Sequence, residues 1–560
     1  MPKVTIDGQA IEVPAGTTVL RAAKQLGIEI PVFCYHPGLS IAANCRMCLV
    51  EVEKSPKPLP GCYTEVGEGM VVHTQTEKIK ATQKAVLEFI LLNHPVDCPI
   101  CDQAGECVLQ EHFATFSLQA SRLTHEKVGK PKAKPLGPNV ILDAERCIVC
   151  TRCVRFCEEV TKTCELTVES RGEHSEITTP EGVELNNAYS QNVVDICPVG
   201  ALTSRQFRFN RRVWFLDMRD SLCTGCGRGC SVRVDSYKNQ VERLVPRYNP
   251  DVNSYWMCDD GRKSLNGLKD GLSMGWLPGA DGKARQAPAG EGVSAVAAWL
   301  KEAKTSGQAG VGIGLSASLS NEDVYAWANL AKAAGAKVYL LPRTGWQGDT
   351  LLRSDDRDCN SMGTKAILTS VLGSFGSFGS ADELIGDAGA LEVLLVVDNG
   401  AACDGDLCDA LARVPKLGVF ASEASGFTQA ASVVVPLTPL QGRDGTVVNV
   451  AGWVQRVQQP LKPSVTSVAP HVAAALLAAA IDQSLDFADT TRPAELFDLL
   501  AGAVGEFKSL NYGEIGDVGR HLAEGGELAP RRPRLDGTPQ WEPDPVSPTA
   551  KRPFQLRRGA

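Results

Sequence analysis

Four things are scarce or missing in this 560-residue sequence, and each bears on a class of function or a location. There is no positive excess. Lys and Arg number 57 against 65 Asp and Glu, a net charge of −8, so nothing in the balance points to nucleic acid. There is no long apolar run. The longest near the C-terminus, "HVAAALLAAAI" at 471–481, falls short of the ~20 residues a bilayer needs. The N-terminal "MPKVTIDGQAIEVPAG" carries neither an apolar signal core nor an Arg/Ser-rich transit pattern, so the chain is expected in the cytosol or facing it. Finally, no nucleophile, acid–base dyad or glycine-rich dinucleotide loop is evident. "GVGIG" (310–314) lacks the G-x-G-x-x-G spacing and reads as a close-packed strand, so neither NADH nor flavin is expected on this chain.

What is abundant is cysteine. Of 20, seventeen precede residue 260, and only Cys359, Cys403 and Cys408 follow. In a large chain without an export signal, disulfides are not expected, and the many x2 spacings point to metal binding.

The length calls for several domains, and the chain divides by pattern. Residues 1–75 read as a small α+β module. "KVTIDGQAIEV" is a hairpin turning at Asp7-Gly8, and "TTVLRAAKQLG" is a helix with Thr17 or Thr18 as N-cap and Gly27 just past its end. A long loop bearing Cys34, Cys45 and Cys48 precedes the strand "MCLVEVE". Residues 74–93 read as a helix, with Thr74 and Glu77 as a capping box and Ile79, Val86, Leu87, Ile90 and Leu91 as its apolar face. Pro95 stops it near Asn93, so His94 projects from a helix end into a cysteine loop. Further cysteine-bearing modules span 76–120, 121–215 and 216–272. From about 285, "VGIGL", "KVYLL", "VLLVV" and "LGVFA" are parallel-strand runs alternating with helices, one of them capped by Ser320 and Asp323. Residues 273–490 thus read as a doubly wound α/β domain, and 491–560 as an extension ending in a tail with seven prolines in 530–560.

The first cysteine group is Cys34-x10-Cys45-x2-Cys48-x13-Cys62, which suits a [2Fe–2S] cluster or a zinc. The third is Cys147-x2-Cys150-x2-Cys153-x3-Cys157, the bacterial ferredoxin signature. Its fourth ligand is then Cys197, in the context Cys-Pro-Val-Gly-Ala. A second cluster for Cys157 would need cysteines where Val193, Ser190 and Asn187 stand. Cys157 is therefore read as a buried free thiol, and Cys164 likewise. The fourth group is Cys223-x2-Cys226-x3-Cys230-x27-Cys258. With "GRGCSV" and "WMCDDGR" it resembles the [4Fe–4S] domain that opens molybdopterin oxidoreductases.

The second group, "HPVDCPICDQAGEC" (94–107), holds only Cys98, Cys101 and Cys107. The other groups use twelve cysteines, and the five left over are Cys157, Cys164, Cys359, Cys403 and Cys408. Cys157 or Cys164 can reach this site only through tertiary structure, whereas His94 arrives by local chain geometry and is read as the fourth ligand. A neutral imidazole in place of a thiolate removes one negative charge and raises the potential. Arg46, Arg146, Arg152 and Arg155 flank ligands as charge partners; each alone ranks no higher than a surface arginine.

In full order, "CYHPGLSIAANCRMCLVEVE", "HPVDCPICDQAGECVLQ", and "RCIVCTRCVRFCEEV" with "DICPVGALTS" resemble the large iron–sulfur subunit of NADH:quinone oxidoreductase, respiratory complex I. The likeness is close over 1–270 and looser beyond. It implies a β-grasp [2Fe–2S] module on Cys34, Cys45, Cys48 and Cys62. It also implies three [4Fe–4S] clusters: one on His94, Cys98, Cys101 and Cys107, one on Cys147, Cys150, Cys153 and Cys197, and one off the main path on Cys223, Cys226, Cys230 and Cys258. The α/β half resembles a molybdopterin-oxidoreductase domain, best in "ASVVVPLTPLQGRDGTVVNVAGWVQ" (431–455). It lacks a convincing metal-ligand pair, so no molybdopterin is expected. The implied partners are a flavin- and NADH-binding subunit and further iron–sulfur subunits of the peripheral arm. The implied place is the cytoplasmic face of the bacterial inner membrane, without a span. The alternatives are an electron-transfer subunit of an NAD-linked hydrogenase or formate dehydrogenase, and a zinc-stabilised scaffold without redox activity.

Overall fold

The computed structural model describes residues 1–522 apart from 119, 265–270, 280–282, 307–309, 374–377, 399, 401–402, 404, 483–484, 486 and 488–491. The Pro/Arg-rich tail of 530–560 lies outside the described residues. The chain forms two compact units. One is Met1–Leu216 with Ser254–Asp259, and the other is Asp217–Asn253 with 260–522.

The first unit opens with a five-stranded mixed sheet built from β1 (Lys3–Ile6), β2 (Gln9–Glu12), β3 (Leu49–Val52), β4 (Leu59–Pro60) and β5 (Met70–His73), in the order β2-β1-β5-β3-β4. Ile6 pairs with Gln9, which leaves Asp7 and Gly8 as a two-residue turn. Both have positive φ, 46° and 82°, as a type I′ hairpin requires. Helix α1 (Val19–Gln25) buries Val19, Leu20, Ala22 and Ala23 against Val4, Ile6, Val50 and Val72. It starts at Thr18, and Gly27 (φ 74°) takes the left-handed position beyond its end.

Helix α2 (Glu77–Leu91) departs from the sequence expectation at its start. Thr76, not Thr74, is the N-cap, accepting from the Ile79 amide. Thr74 is drawn away by the hairpin turn: its amide donates to Asp7 Oδ1 at 2.7 Å and its hydroxyl to Asp7 Oδ2. The cap satisfies an orphan helix amide either way, and is worth about 1 kcal/mol. Lys127 Nζ donates to the carbonyls of Leu91 (3.0 Å) and Leu92 (2.6 Å), closing the other end just ahead of His94.

The second unit contains a three-stranded antiparallel sheet (Asp217–Leu222, Ser231–Tyr237, Gln240–Pro246) and a seven-stranded sheet. The parallel core of the larger sheet runs Lys337–Leu341, Val311–Ser316, Val393–Asp398, Lys416–Ala421, Val433–Pro436, the first four on the runs expected from sequence. Its central strands are buried along their whole length, which explains why they read as unbroken apolar runs. The glycines of "GVGIG" serve close packing. A Cβ on Gly310, Gly312 or Gly314 would meet a neighbour at 2.5, 2.9 or 2.7 Å. Ser320 and Asp323 form the expected capping box on helix Asn321–Ala334. The apolar run at 471–481 lies in helix Pro470–Ile481, largely buried in this core. Among the described residues no helix is long and apolar enough to cross a membrane. Leu496, Phe497 and Leu500 of Pro493–Ala503 pack into the same core.

Candidate functional site

The second cysteine group is the most fully built. Cys98, Cys101 and Cys107, together with His94, line one cavity of about 470 Å³ that Arg146, Leu109 and Gly200 also border. The turn carrying His94 and Cys98 is pinned at Asp97, which receives Lys132 (2.7 Å) and Arg146 (3.0 Å). Arg212 holds the ligand loop by its backbone, donating to the carbonyls of Cys101 (2.7 Å), Cys98 (3.3 Å) and Pro99. Cys107 is the N-cap of α3 (Val108–Phe116), and the Val108 amide finds the Pro198 carbonyl at 3.1 Å.

His94 Nδ1 is buried without a hydrogen-bond partner. A buried polar nitrogen left unsatisfied is costly unless something not present in the polypeptide completes it. Burial, together with the charges of Arg146 and Lys127, holds its pKa down to about 4, so the ring is neutral at neutral pH, as a ligand must be. Gly200 is the other telling residue. A Cβ there would sit 2.1 Å from Cys101 Sγ, so the absence of a side chain is what lets that sulfur occupy its place. The donor set, the orphaned nitrogen and the room for a polyatomic group all fit a cubane cluster.

The third group converges as well. Cys147, Cys150, Cys153 and Cys197 surround a small space of about 20 Å³ walled by Leu142, Ile148, Ile177, Val199 and Leu202. Val149 (φ 49°) and Thr151 (φ 60°) are left-handed, and this bend lets the Val149 amide donate to Cys147 Sγ at 3.4 Å. Burial pushes Cys147 up to about 12 and Cys150 up to about 11, with neighbouring thiols adding to the effect on Cys147. Four neighbouring thiols, three of them buried and Cys147 half-buried, become good ligands only when a metal takes up their charge.

The first group stands as two thiol pairs. Cys34 and Cys45 share a hydrogen bond, as do Cys48 and Cys62. In each pair the first thiol is lowered and the second raised by that sharing. The Cys34 amide donates to Cys45 Sγ at 3.5 Å, in a loop bent by left-handed Ala43 and Arg46. The charge of Cys34 also acts on Cys48 and Cys62, so the two pairs are neighbours.

In the second unit, Cys223, Cys226 and Cys230 are buried on the loop between strands Asp217–Leu222 and Ser231–Tyr237. The Cys223 amide donates to the Cys230 carbonyl at 2.8 Å, and the Gly225 amide to Cys223 Sγ at 3.4 Å. Burial raises Cys223 to about 12. Cys258, also buried, lies in the segment Ser254–Asp259 of the first unit. Among the described residues no three His, Cys, Asp or Glu side chains are grouped closely enough for a single metal ion.

Several sequence expectations are corrected. Arg146 and Arg155 are not surface residues; they are 3% and 7% exposed, and only Arg46 is exposed as expected. Cys157 is fully buried, with burial raising it to about 12, but Cys164 is exposed, on a left-handed turn (φ 51°). One disulfide does occur, Cys403–Cys408. Helix Gly405–Leu411 carries Cys408 back to within 5.7 Å (Cα–Cα) of Cys403. Cys359 is a fully buried thiol that donates to the Ser318 carbonyl at 3.6 Å. Gly200, Arg212 and Lys127 escaped the sequence reading. Only Gly200 left a trace, as the glycine of the motif after Cys197.

Four family models match in succession. They are a 2Fe-2S iron-sulfur cluster binding domain (2–77), the NADH-ubiquinone oxidoreductase-G iron-sulfur binding region (83–122), the NADH-quinone oxidoreductase subunit 3 ferredoxin-like domain (137–203) and the NADH-ubiquinone oxidoreductase NDSU1/NuoG-like 4Fe-4S domain (220–266). The NADH-quinone oxidoreductase G subunit of Rickettsia bellii is 47% identical over 269 residues, 48% of this chain and 39% of its own. The mitochondrial NADH dehydrogenase (ubiquinone) iron-sulfur protein 1 of Solanum tuberosum is 41% identical over 353 residues, 63% and 47% respectively. A chain of an NAD+-reducing [NiFe]-hydrogenase crystal structure, H2-reduced, is 26% identical over 38% of this chain and 91% of its own, with a TM-score of 0.34. The chain thus spans about half or less of the length of the curated relatives it matches. It carries a 2Fe-2S domain followed by 4Fe-4S domains, and over this iron–sulfur part it is similar to the large iron–sulfur subunit of NADH-quinone oxidoreductases.

Proposed function

We propose that this chain is an electron-relay subunit of a proton-pumping NADH:quinone oxidoreductase. It would take electrons from a flavin- and NADH-binding partner and pass them through further iron–sulfur subunits toward quinone. The observation that carries this reading is the convergence of His94, Cys98, Cys101 and Cys107 on one cavity, with His94 Nδ1 buried and unpaired.

In this reading Cys34, Cys45, Cys48 and Cys62 hold a [2Fe–2S] cluster. The 2Fe-2S cluster binding domain model that runs over all four favours a dinuclear centre over one zinc. His94, Cys98, Cys101 and Cys107 hold one [4Fe–4S] cluster, and Cys147, Cys150, Cys153 and Cys197 a second. The assignment of Cys223, Cys226, Cys230 and Cys258 to a third rests on their spacing and on the one family model that runs over all four. Bound clusters supply one-electron chemistry, and the polypeptide supplies spacing, exclusion of water and charge.

The backbone supports an order of transfer. The third group is joined to the second by two short segments. Arg146 lines the second cavity and is followed by Cys147; Cys197 belongs to the third group, and Gly200, three residues on, packs on Cys101 Sγ. Arg155 joins the third group to the first, donating to the carbonyls of Cys34 (2.6 Å) and Cys150 (3.3 Å). The direct link between first and second groups is longer, from His112 on α3 to the Val32 carbonyl (3.2 Å) and the Phe33 ring. The favoured sequence is first, third, second.

A peripheral position on the cytoplasmic face of the inner membrane fits this role. Anaerobic purification with iron, sulfide and zinc analysis tests it. Iron and acid-labile sulfide with visible charge-transfer absorption are expected; zinc without them would end the relay reading.

A further inference from the structure

We infer that Arg155, assisted by Arg152, is a positioning residue that locks the first and third cysteine groups together and places one fixed positive charge between them. The inference rests on the iron–sulfur reading above and adds to it a residue that acts on two centres at once.

Both arginines stand on the one short helix of the third motif, Arg152–Arg155, three residues apart. Each reaches both groups. Arg155 Nη2 donates to the carbonyl of Cys34 at 2.6 Å and to that of Cys150 at 3.3 Å, while Nη1 donates to the Ser40 carbonyl. Its Nε is held by Thr151 Oγ1 at 3.4 Å. Arg152 Nη2 donates to the carbonyl of Tyr35, next to Cys34, at 2.5 Å, and Nη1 to that of Ile196, next to Cys197, at 3.0 Å. The same junction is tied again by Glu159, which accepts from the Ser40 amide at 2.8 Å and from its hydroxyl. Five backbone carbonyls, two of them belonging to ligand residues, thus converge on two guanidinium groups.

A planar guanidinium with donors in fixed directions can span two backbones in this way. A lysine ammonium, a point charge on a flexible stem, cannot hold both. The charge matters separately. Arg155 is permanently cationic and nearly buried, where screening by water is weak. Its guanidinium lies against the backbone of a ligand residue in each group, Cys34 and Cys150, so the charge sits beside both. An electron arriving at either centre adds one negative charge. No bond forms or breaks and no proton leaves Arg155, so the cation favours the reduced state on both sides. Among the described residues, the hydrogen bonds of its side chain go to the first and third groups and to Thr151, with none to the second group.

The test is an EPR-monitored redox titration of the whole chain, purified anaerobically with its clusters, as wild type, Arg155→Gln and Arg155→Lys. With Arg155→Gln, the midpoints of the [2Fe–2S] signal and the third-group signal should fall together while the second-group signal stays. With Arg155→Lys, the charge is kept and the fork lost. Both midpoints should then stay nearer wild type, while pulsed EPR shows a broader distance distribution between the two centres. Full iron content with unchanged midpoints in Arg155→Gln would overturn the inference, and so would loss of iron from both variants, which would make Arg155 a folding residue only. If Arg155→Gln alone fails to assemble, Arg155→Lys decides: a broadened distribution supports the inference, and an unchanged one overturns it. A wild-type chain without iron would instead defeat the relay reading itself.

Discussion

The two units hold themselves together by different means. Of fifteen left-handed non-glycine residues among the described positions, twelve lie in the first unit and three in the second. The first unit bends its backbone around cysteines, buries arginines and threads long loops between short strands. The second buries whole strands and an Ala-rich helix pair, in the regular way of an α/β sheet. A backbone bent at such cost persists when something else over-determines it, and in the first unit the candidates are the groups that cysteine and histidine would bind. In the α/β sheet of the second unit apolar packing and a few buried polar networks suffice. The first unit should therefore fail by losing ligands, and the α/β sheet by losing packing or charge pairing.

The largest expected effect is at Gly200. Gly200→Val places atoms where Cys101 Sγ now stands. The sulfur can move, but moving takes it off the site. Iron analysis should show the loss of one cluster and EPR the loss of the second-group signal, while thermal melting of the α/β unit stays as in wild type. Simultaneous loss of stability in both units would break the comparison.

The counterpart in the second unit is Asp323. Burial pushes its carboxyl up, but Arg443 (2.5 Å), His471 (3.2 Å) and Ser320 (2.7 Å) outweigh that and hold it at about 2. A depressed carboxylate contributes stability that is present above the unfolded range near pH ~4 and is lost as the pH falls through the folded value. Asp323→Asn leaves Arg443 without its counter-charge and should cost about 3–5 kcal/mol. Denaturant unfolding between pH 7 and pH 2 checks both points. The variant should be weaker at neutral pH and lose part of the wild type's acid sensitivity, with its iron content unchanged.

The smallest effect sharpens a boundary. Thr76→Ala removes the cap of α2 and should cost about 1 kcal/mol in urea unfolding. A neutral result would return the capping role to Thr74.

Legibility follows the same divide. The parallel strands and the Ser320–Asp323 cap were readable because they depend on local pattern. The place of His94 was readable for a local reason too, since Pro95 follows the end of α2 beside a three-cysteine loop. The capping box at Thr74 was not, because Asp7, far off in sequence, competes for that threonine. Gly200 and Arg212 act on Cys101 from about a hundred residues away, and no spacing announces them. Arg155 was visible as a neighbour of cysteines. Its two-sided grip was not, because that depends on a loop 115 to 121 residues upstream. Cys164 was misjudged because one turn, bent at a left-handed residue, separates it from its buried neighbour Cys157.

The most direct measurement of the central claim is the midpoint of the second-group signal in His94→Cys, followed by EPR redox titration of the whole chain. Replacing a neutral imidazole by a thiolate adds one negative charge to the centre. The account predicts an altered spectrum and a lower midpoint, with the other signals unmoved. An unchanged spectrum and midpoint would contradict it.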